Sequence, residues 1–227
     1  MHVLFVHGMG RSPLSGWPVL RQLRRAGLQT HTFGYAVSRQ DFAAISRRLA
    51  ARIAALAAQG DYVLVGHSLG GVLIRATVNA LPAAVQRPQR IFLLGSPQQP
   101  ARLAQQLRGN PLFRAFTRDC GRLLGSAERM AAVGAVDVPT TSIVGVSGPT
   151  QRFSPFAGEP NDGVVSLAEV SADWVTDQVR VATLHTFLPM DPGVARIILQ
   201  RLRDDALSPA PARPAGAARA TSRRPAP

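Results

Sequence analysis

The sequence predicts an α/β protein with a mostly parallel sheet of about six strands and helices on both faces. Short runs rich in β-branched and other apolar residues alternate along the chain with longer segments whose apolar residues recur every three or four positions. Glycine-containing turns separate the two kinds of segment. Strands that alternate with helices in this way are joined by right-handed crossovers and therefore run parallel.

Several strand segments, such as residues 3–6 and 62–65, read as continuous apolar runs, which is typical of strands that are buried on both faces of a parallel sheet. Each run is short and is bounded by glycine, proline or polar residues. The predicted strands are residues 3–6, 30–35, 62–65, 91–95, 141–146 and 178–183.

The helical segments carry one apolar face each. In residues 41–58, for example, Ile45, Leu49 and Ile53 repeat at helical spacing, so one stripe faces the sheet. A helix is also expected over residues 72–78, after the turn that follows the strand at 62–65. The remaining predicted helices are residues 16–26 and 192–206, together with a mostly helical insert at about 97–138.

Length and composition indicate one domain, residues 1–207, followed by a Pro/Ala/Arg-rich tail, residues 208–227, with almost nothing to bury. The sequence contains no run of 18 apolar residues, so we expect no membrane span. The single cysteine, Cys120, cannot form an internal disulfide, which is typical of a reducing compartment. The first residues read as a strand and not as a signal peptide, so we expect a cytoplasmic protein.

The formal net charge is +13, and all 26 basic residues are arginine. A strongly basic chain gains affinity for phosphates, so nucleic acid is one candidate partner. The arginines are scattered over exposed helical positions, however, which favours a solvated surface. We therefore expect no nucleic-acid partner, and the interpretation leaves peripheral contact with an anionic membrane open. The sequence does not indicate an oligomeric state.

A Gly-His-Ser-Leu-Gly sequence, residues 66–70, joins a predicted strand directly to a predicted helix. Such a turn needs small residues on both sides, because larger side chains would collide with neighbouring backbone, and Gly66 and Gly70 meet that need. The turn exposes the Ser68 hydroxyl at a helix N-terminus, where free N–H groups favour negative charge. A serine that only caps the helix is the alternative, but the strand and helix context favours a nucleophile.

A serine nucleophile needs a base and an acid that orients the base. In proteins with this turn, the acid and then a histidine follow the serine along the chain. His185 is the histidine that follows Ser68, on a loop after the last predicted strand. His67 adjoins the serine and is expected to serve packing, because neighbouring side chains on a sharp turn point in different directions.

The acid predicted from chain order is Asp162, which follows the strand at 141–146 by a loop. Gly163 permits a turn that can aim the carboxylate inward. Asn-Asp-Gly is also an ordinary turn sequence, so Glu159 and Asp173 remain alternatives.

Four segments together resemble the α/β-hydrolase superfamily, and its lipase and esterase branch most closely: residues 7–9, 66–70, 161–165 and 184–187. The similarity extends from residue 3 to about residue 206. It implies the α/β-hydrolase fold, with the helical insert ahead of the strand that leads to the acid. It also implies acyl transfer by a Ser68-Asp162-His185 triad, an oxyanion hole made by the backbone N–H groups of Met9 and Leu69, and no metal or organic cofactor.

The resemblance implies a small-molecule ester substrate, and aromatic and apolar side chains near the predicted loops favour one with an apolar acyl group. Packing of the insert onto the sheet explains the same side chains equally well. A thioesterase or acyltransferase shares every motif, and a non-catalytic binding module on this scaffold is a third interpretation. The predicted substrate-binding residues are Leu112, Phe113, Phe116, Phe153 and Phe187.

Overall fold

The computed structural model describes residues 1–152 and 154–207. Six strands form one sheet in the order 2-1-3-4-5-6, and every neighbouring pair is parallel. The strands are β1 (His2–Val6), β2 (Gln29–Phe33), β3 (Tyr62–His67), β4 (Ile91–Leu94), β5 (Thr140–Gly145) and β6 (Asp177–Val181). The predicted fold class is therefore confirmed.

Helices cover both faces of this sheet. On one face, α1 packs against α7, and their apolar stripes share a buried cluster with β1, β3 and β4. On the other face, α2 packs against α3, and the insert helices join that second cluster. The helices are α1 (Trp17–Arg25), α2 (Phe42–Ala57), α3 (Leu69–Asn79), α4 (Arg102–Leu107), α5 (Pro111–Gly125), α6 (Ala127–Val133) and α7 (Pro192–Leu207).

The predicted insert consists of three separate helices, and local capping explains the breaks between them. The Asn110 side chain accepts hydrogen bonds from the amides of Leu112 and Phe113 at 2.9 and 3.1 Å, which begins α5. The Ser126 hydroxyl accepts a bond from the amide of Arg129 at 3.2 Å and begins α6 in the same way.

Arg75 anchors the insert to α3 from inside the protein. Its guanidinium is buried and donates to the carbonyl oxygens of Pro97 and Gly134, at 3.2 and 2.6 Å. The guanidinium carbon lies 5.0 Å from the ring centroid of Trp174. Burial lowers the pKa of Arg75 to about 10, so the group remains charged at neutral pH. Because Pro97 and Gly134 stand near the two ends of the insert, one side chain holds both ends against the same helix.

The parallel sheet brings one set of loops to a common edge. The loops after β1, β3, β4, β5 and β6 all leave the carboxyl ends of their strands, and ligand sites of such sheets form there. The predicted serine, acid and histidine follow β3, β5 and β6. The fold therefore puts their loops on the same side of the molecule.

In the described part of the chain, no helix is both long and apolar enough to cross a membrane. The predicted tail at 208–227 and the predicted substrate residue Phe153 lie outside the described residues.

Candidate active site

Ser68 lies at the joint between β3 and α3 in a strained backbone conformation. Its φ of 53° and ψ of −124° are unusual for a residue with a side chain, and such strain costs about 1–3 kcal/mol and is concentrated at functional sites. A Cβ at position 66 would lie 2.5 Å from the Cα of Gly71, and one at position 70 would collide with the carbonyl oxygen of Val6. The two glycines therefore permit the turn, which leaves Ser68 half-buried.

The loop after β1 packs directly against this turn. A Cβ added to the buried Gly8 would lie 3.2 Å from the Cβ of Ser68. Met9, the next residue, is half-buried, and the Arg11 amide donates to the carbonyl oxygen of Gly8 at 3.2 Å. Leu69 is the first residue of α3, so its amide has no acceptor within the helix. Both predicted oxyanion donors thus belong to segments that adjoin Ser68.

His7 and Tyr35 hold the loop after β1 in shape, a role that sequence reasoning missed. The His7 ring stacks on the Tyr35 ring with centroids 4.2 Å apart. His7 Nδ1 donates to the carbonyl oxygen of Gly8 at 2.8 Å, and the Tyr35 hydroxyl donates to the carbonyl oxygen of His7 at 2.7 Å. Burial lowers the pKa of His7, and its Nε2 accepts a hydrogen bond from the Tyr35 amide at 3.3 Å, which a neutral ring can do. Tyr35 lies just beyond β2 and not inside it as predicted, and no spacing in the sequence indicates this pairing.

The structure brings Asp162 and His185 into direct contact. Asp162 Oδ2 lies 2.6 Å from His185 Nδ1, and both side chains are buried. The other oxygen of Asp162 accepts hydrogen bonds from the amides of Val164 and Val165, at 3.0 and 2.8 Å. The His185 amide also donates to the carbonyl oxygen of Asp162 at 2.9 Å. These bonds fix the carboxylate in the orientation in which one oxygen faces the imidazole.

The two alternative acids lie in other surroundings. Glu159 forms a two-point ion pair with Arg102, with both N–O distances at 3.1 Å. That hydrogen bonding lowers the pKa of Glu159. Asp173 is exposed. Among the three candidates, Asp162 is the one that contacts His185.

The segments of the paired acid and base also contact the last residue of β3 and the loop after β4. A Cβ at Gly95 would lie 2.9 Å from Asp162 Oδ2 and 3.0 Å from His185 Nδ1, so this glycine leaves room for the pair. His67 Nε2 lies 3.0 Å from the carbonyl oxygen of His185, and the two rings are 4.8 Å apart. The neighbour of Ser68 therefore contacts the segment that carries the predicted base.

The predicted substrate-binding side chains have different surroundings. Leu112, Phe116 and Phe187 are exposed, at 79%, 56% and 50%. Phe113 is partly buried and packs against the core under the insert. Phe116 lies next to the loop after β1, because a Cβ at Gly10 would be 3.4 Å from its ring. Within the described residues, no group of three or more His, Cys, Asp and Glu side chains is arranged to hold a metal ion.

A family model described as alpha/beta hydrolase matches residues 3–225. Several solved structures are similar in fold. The mature form of a Bacillus licheniformis lipase has a TM-score of 0.70 at 16% identity and covers 88% of this chain and 90% of its own. A metagenomic carboxyl esterase has a TM-score of 0.69 at 16% identity, and the similarity covers 90% of this chain and 76% of the esterase. A thioesterase from the prodiginine biosynthetic pathway of Streptomyces coelicolor has a TM-score of 0.56 at 16% identity, with 90% of each chain covered. Among curated proteins, the sequence has no significant match.

Proposed function

The chain belongs to the alpha/beta hydrolase family, and from this premise we propose that it is a serine hydrolase that cleaves carboxylic esters through an acyl-enzyme intermediate. The observation that carries this proposal is the buried 2.6 Å contact between Asp162 and His185. It lies at the edge of the sheet where Ser68 has its strained backbone. An acid that orients a histidine near a serine on a sharp turn is the arrangement that acyl transfer requires.

In the proposed reaction, His185 Nδ1 keeps its proton and donates it in a hydrogen bond to Asp162. The Nε2 lone pair is then free to take the proton of the Ser68 hydroxyl as its oxygen attacks the ester carbonyl carbon. The tetrahedral intermediate carries a negative oxygen, which the N–H groups of Met9 and Leu69 stabilise. The intermediate collapses when the C–O bond to the alcohol breaks and His185 protonates the departing oxygen.

The second half of the reaction uses the same groups. His185 takes a proton from water, whose oxygen attacks the acyl carbon bound to Ser68. Collapse of this second intermediate breaks the bond to the serine oxygen, which recovers its proton from His185. The products are a carboxylic acid and an alcohol. The chain's own residues supply every proton transfer in this cycle.

Labelling with a fluorophosphonate probe tests the proposal. The probe phosphonylates serines that an adjacent base activates, so we expect one label per chain, on the peptide that contains Ser68, found by mass spectrometry after digestion. Heat-denatured protein serves as the control and should remain unlabelled, because reactivity depends on the assembled site. A folded sample without label, or with its label on another serine, would contradict the proposal.

The same acyl-enzyme can arise from a thioester or pass its acyl group to an alcohol. Matched oxygen and thioesters of one acid, each assayed with and without an alcohol acceptor, separate these reactions. We expect the oxygen ester to be cleaved and the free acid to be the main product. Preferential thioester cleavage, or transfer to the alcohol as the main reaction, would instead identify a thioesterase or an acyltransferase. Absence of both cleavage and labelling would indicate a binding module.

A further inference from the structure

A small cavity of about 180 Å³ adjoins the predicted oxyanion loop. That loop contributes His7, Gly10 and Arg11 to the cavity wall. Residues 35–38, which follow β2, and Phe116 from α5 complete it. Gly8, the residue after His7 of the cavity wall, packs against Ser68, so the same loop contacts both the cavity and the proposed nucleophile.

The wall is mainly apolar on the side away from the loop. Val37 is buried at 5% exposure and belongs to the core cluster that Tyr35 also packs against. The Phe116 ring lies beside Gly10, and both residues are exposed. Such a lining suits a hydrocarbon chain, and Arg11 is the charged residue among the wall residues.

We propose that this cavity binds the acyl group of the substrate and buries about its first six carbons, an inference that rests on the proposed ester hydrolysis. Volume sets the limit, because an apolar cavity of roughly 150 Å³ holds one benzene molecule, a ring of about six carbons. The cavity beside the oxyanion loop is only slightly larger, at about 180 Å³. Butyrate and hexanoate chains therefore fill the cavity, whereas the end of a longer chain would extend past the exposed Phe116 into solvent.

A chain-length series of p-nitrophenyl esters tests this limit: acetate, butyrate, hexanoate, octanoate and laurate. We expect kcat/KM to rise from acetate to hexanoate, as each added methylene group is buried, and to gain nothing further for octanoate and laurate. Phe116→Ala removes an aromatic ring from the cavity wall and should lower the gain in kcat/KM between acetate and hexanoate. Ala36→Leu adds volume at the wall and should shift the preference towards acetate.

Leu14→Ala is the matched control, because Leu14 is exposed at 78% and is not part of the cavity wall. It should leave the chain-length preference unchanged. If the enzyme cleaves esters but neither Phe116→Ala nor Ala36→Leu moves the preference, the cavity is not the acyl site. If the wild-type protein cleaves no ester of the series, the proposed function itself fails.

A separate observation concerns His67, which is buried between two loops of the site. Its Nε2 atom lies 3.0 Å from the carbonyl oxygen of His185. Its Nδ1 atom would be 2.9 Å from a Cβ on Gly8, so the ring packs tightly against the oxyanion loop. Since a carbonyl oxygen only accepts hydrogen bonds, Nε2 must carry the proton and donate it.

We infer that His67 is a positioning residue, which fixes the backbone of His185 and so holds the base at the correct distance from Ser68. This inference also rests on the proposed function. Burial, with His185 close by, holds the pKa of His67 well below its usual range, which is consistent with a neutral ring that donates from one nitrogen. A displacement of about 1 Å in a catalytic group can cost roughly 10²-fold in rate.

His67→Gln and His67→Asn separate positioning from packing. The glutamine amide nitrogen can reach the place of Nε2, whereas the shorter asparagine cannot, although both side chains are polar and smaller than histidine. We expect His67→Asn to lower kcat by roughly 10²-fold with little change in KM, and His67→Gln to recover most of that loss. The value of kcat is taken per active site titrated with the fluorophosphonate, and unfolding in urea is measured for each variant.

Equal kcat in the two variants, whether both are low or both are like wild type, would overturn the positioning role of His67. A purely structural role would lower stability and the titratable fraction in both variants without separating their kcat values. Wild-type protein that cleaves no ester would count against the proposed hydrolysis and not against this inference.

Discussion

Ser68→Ala is expected to lower kcat for ester hydrolysis by at least about 10⁴-fold, which corresponds to a loss of more than about 5 kcal/mol of transition-state stabilisation. The substitution removes the oxygen that forms the acyl-enzyme, so only the oxyanion donors and substrate binding remain to accelerate attack by water. KM should change little, because binding of the uncleaved ester does not use the serine oxygen. Steady-state kinetics with a butyrate ester measures both constants.

Ser96→Ala is the matched control for this substitution. Ser96 is buried in the loop after β4, and its hydroxyl has no hydrogen-bond partner in the described structure. Removing that hydroxyl should leave kcat and the urea midpoint unchanged. If Ser68→Ala retains wild-type kcat while its fold is intact, Ser68 is not the nucleophile, and the proposed mechanism is wrong.

Most of the fold could be predicted from the sequence, because buried apolar residues recur at the period of the helix or strand that contains them. The helices α2 and α7 and the strands β1, β3 and β4 have apolar residues at the spacing of their class, so their existence was predictable, whereas the edge strands β2 and β6 contain mainly polar residues. The residues at which helices and strands end were harder to predict. Tyr35 has a residue type common in strands, but it leaves the sheet to bind His7, a tertiary contact that local sequence does not record.

The kink inside α5 is a feature that the sequence does not reveal. Arg118 has a φ of 47°, which arginine rarely adopts and which glycine would signal. Its guanidinium donates to the carbonyl oxygen of Ser38 at 3.0 Å, so contact with a distant segment accompanies the unusual backbone. Breaks on either side of α5 were easier to anticipate, because Asn110 and Ser126 are residues that begin helices.

For the candidate site, the order of residues along the chain identified the histidine but left three candidates for the acid. It singled out His185 and left Glu159, Asp162 and Asp173 as acids, because which carboxylate reaches the imidazole depends on how the long loop after β5 folds. The structure distinguishes them by contact. The predicted substrate side chains depend on how the insert packs, which the sequence does not specify, and they stay a prediction.

Asp162→Asn is expected to lower kcat by about 10⁴-fold, although it changes the shape of the side chain very little. One carboxylate oxygen accepts bonds from the amides of Val164 and Val165, so the amide oxygen of the substituted side chain will occupy that position. Its NH₂ group must then face His185 Nδ1. An N–H donor there forces Nδ1 to accept, which moves the imidazole proton to Nε2. The base then has no lone pair directed at Ser68.

The altered tautomer of His185 gives Asp162→Asn a signature that loss of folding does not share. The variant should unfold at nearly the wild-type urea concentration, still bind ester with a similar KM, and react with the fluorophosphonate far more slowly than wild type. Asp173→Asn and Glu159→Gln make the same chemical change at the two alternative acids, one exposed and the other paired with Arg102, and should leave kcat unchanged. If either of these variants loses activity while Asp162→Asn retains it, the acid is not Asp162, because an oriented carboxylate would then be acting from another part of the loop.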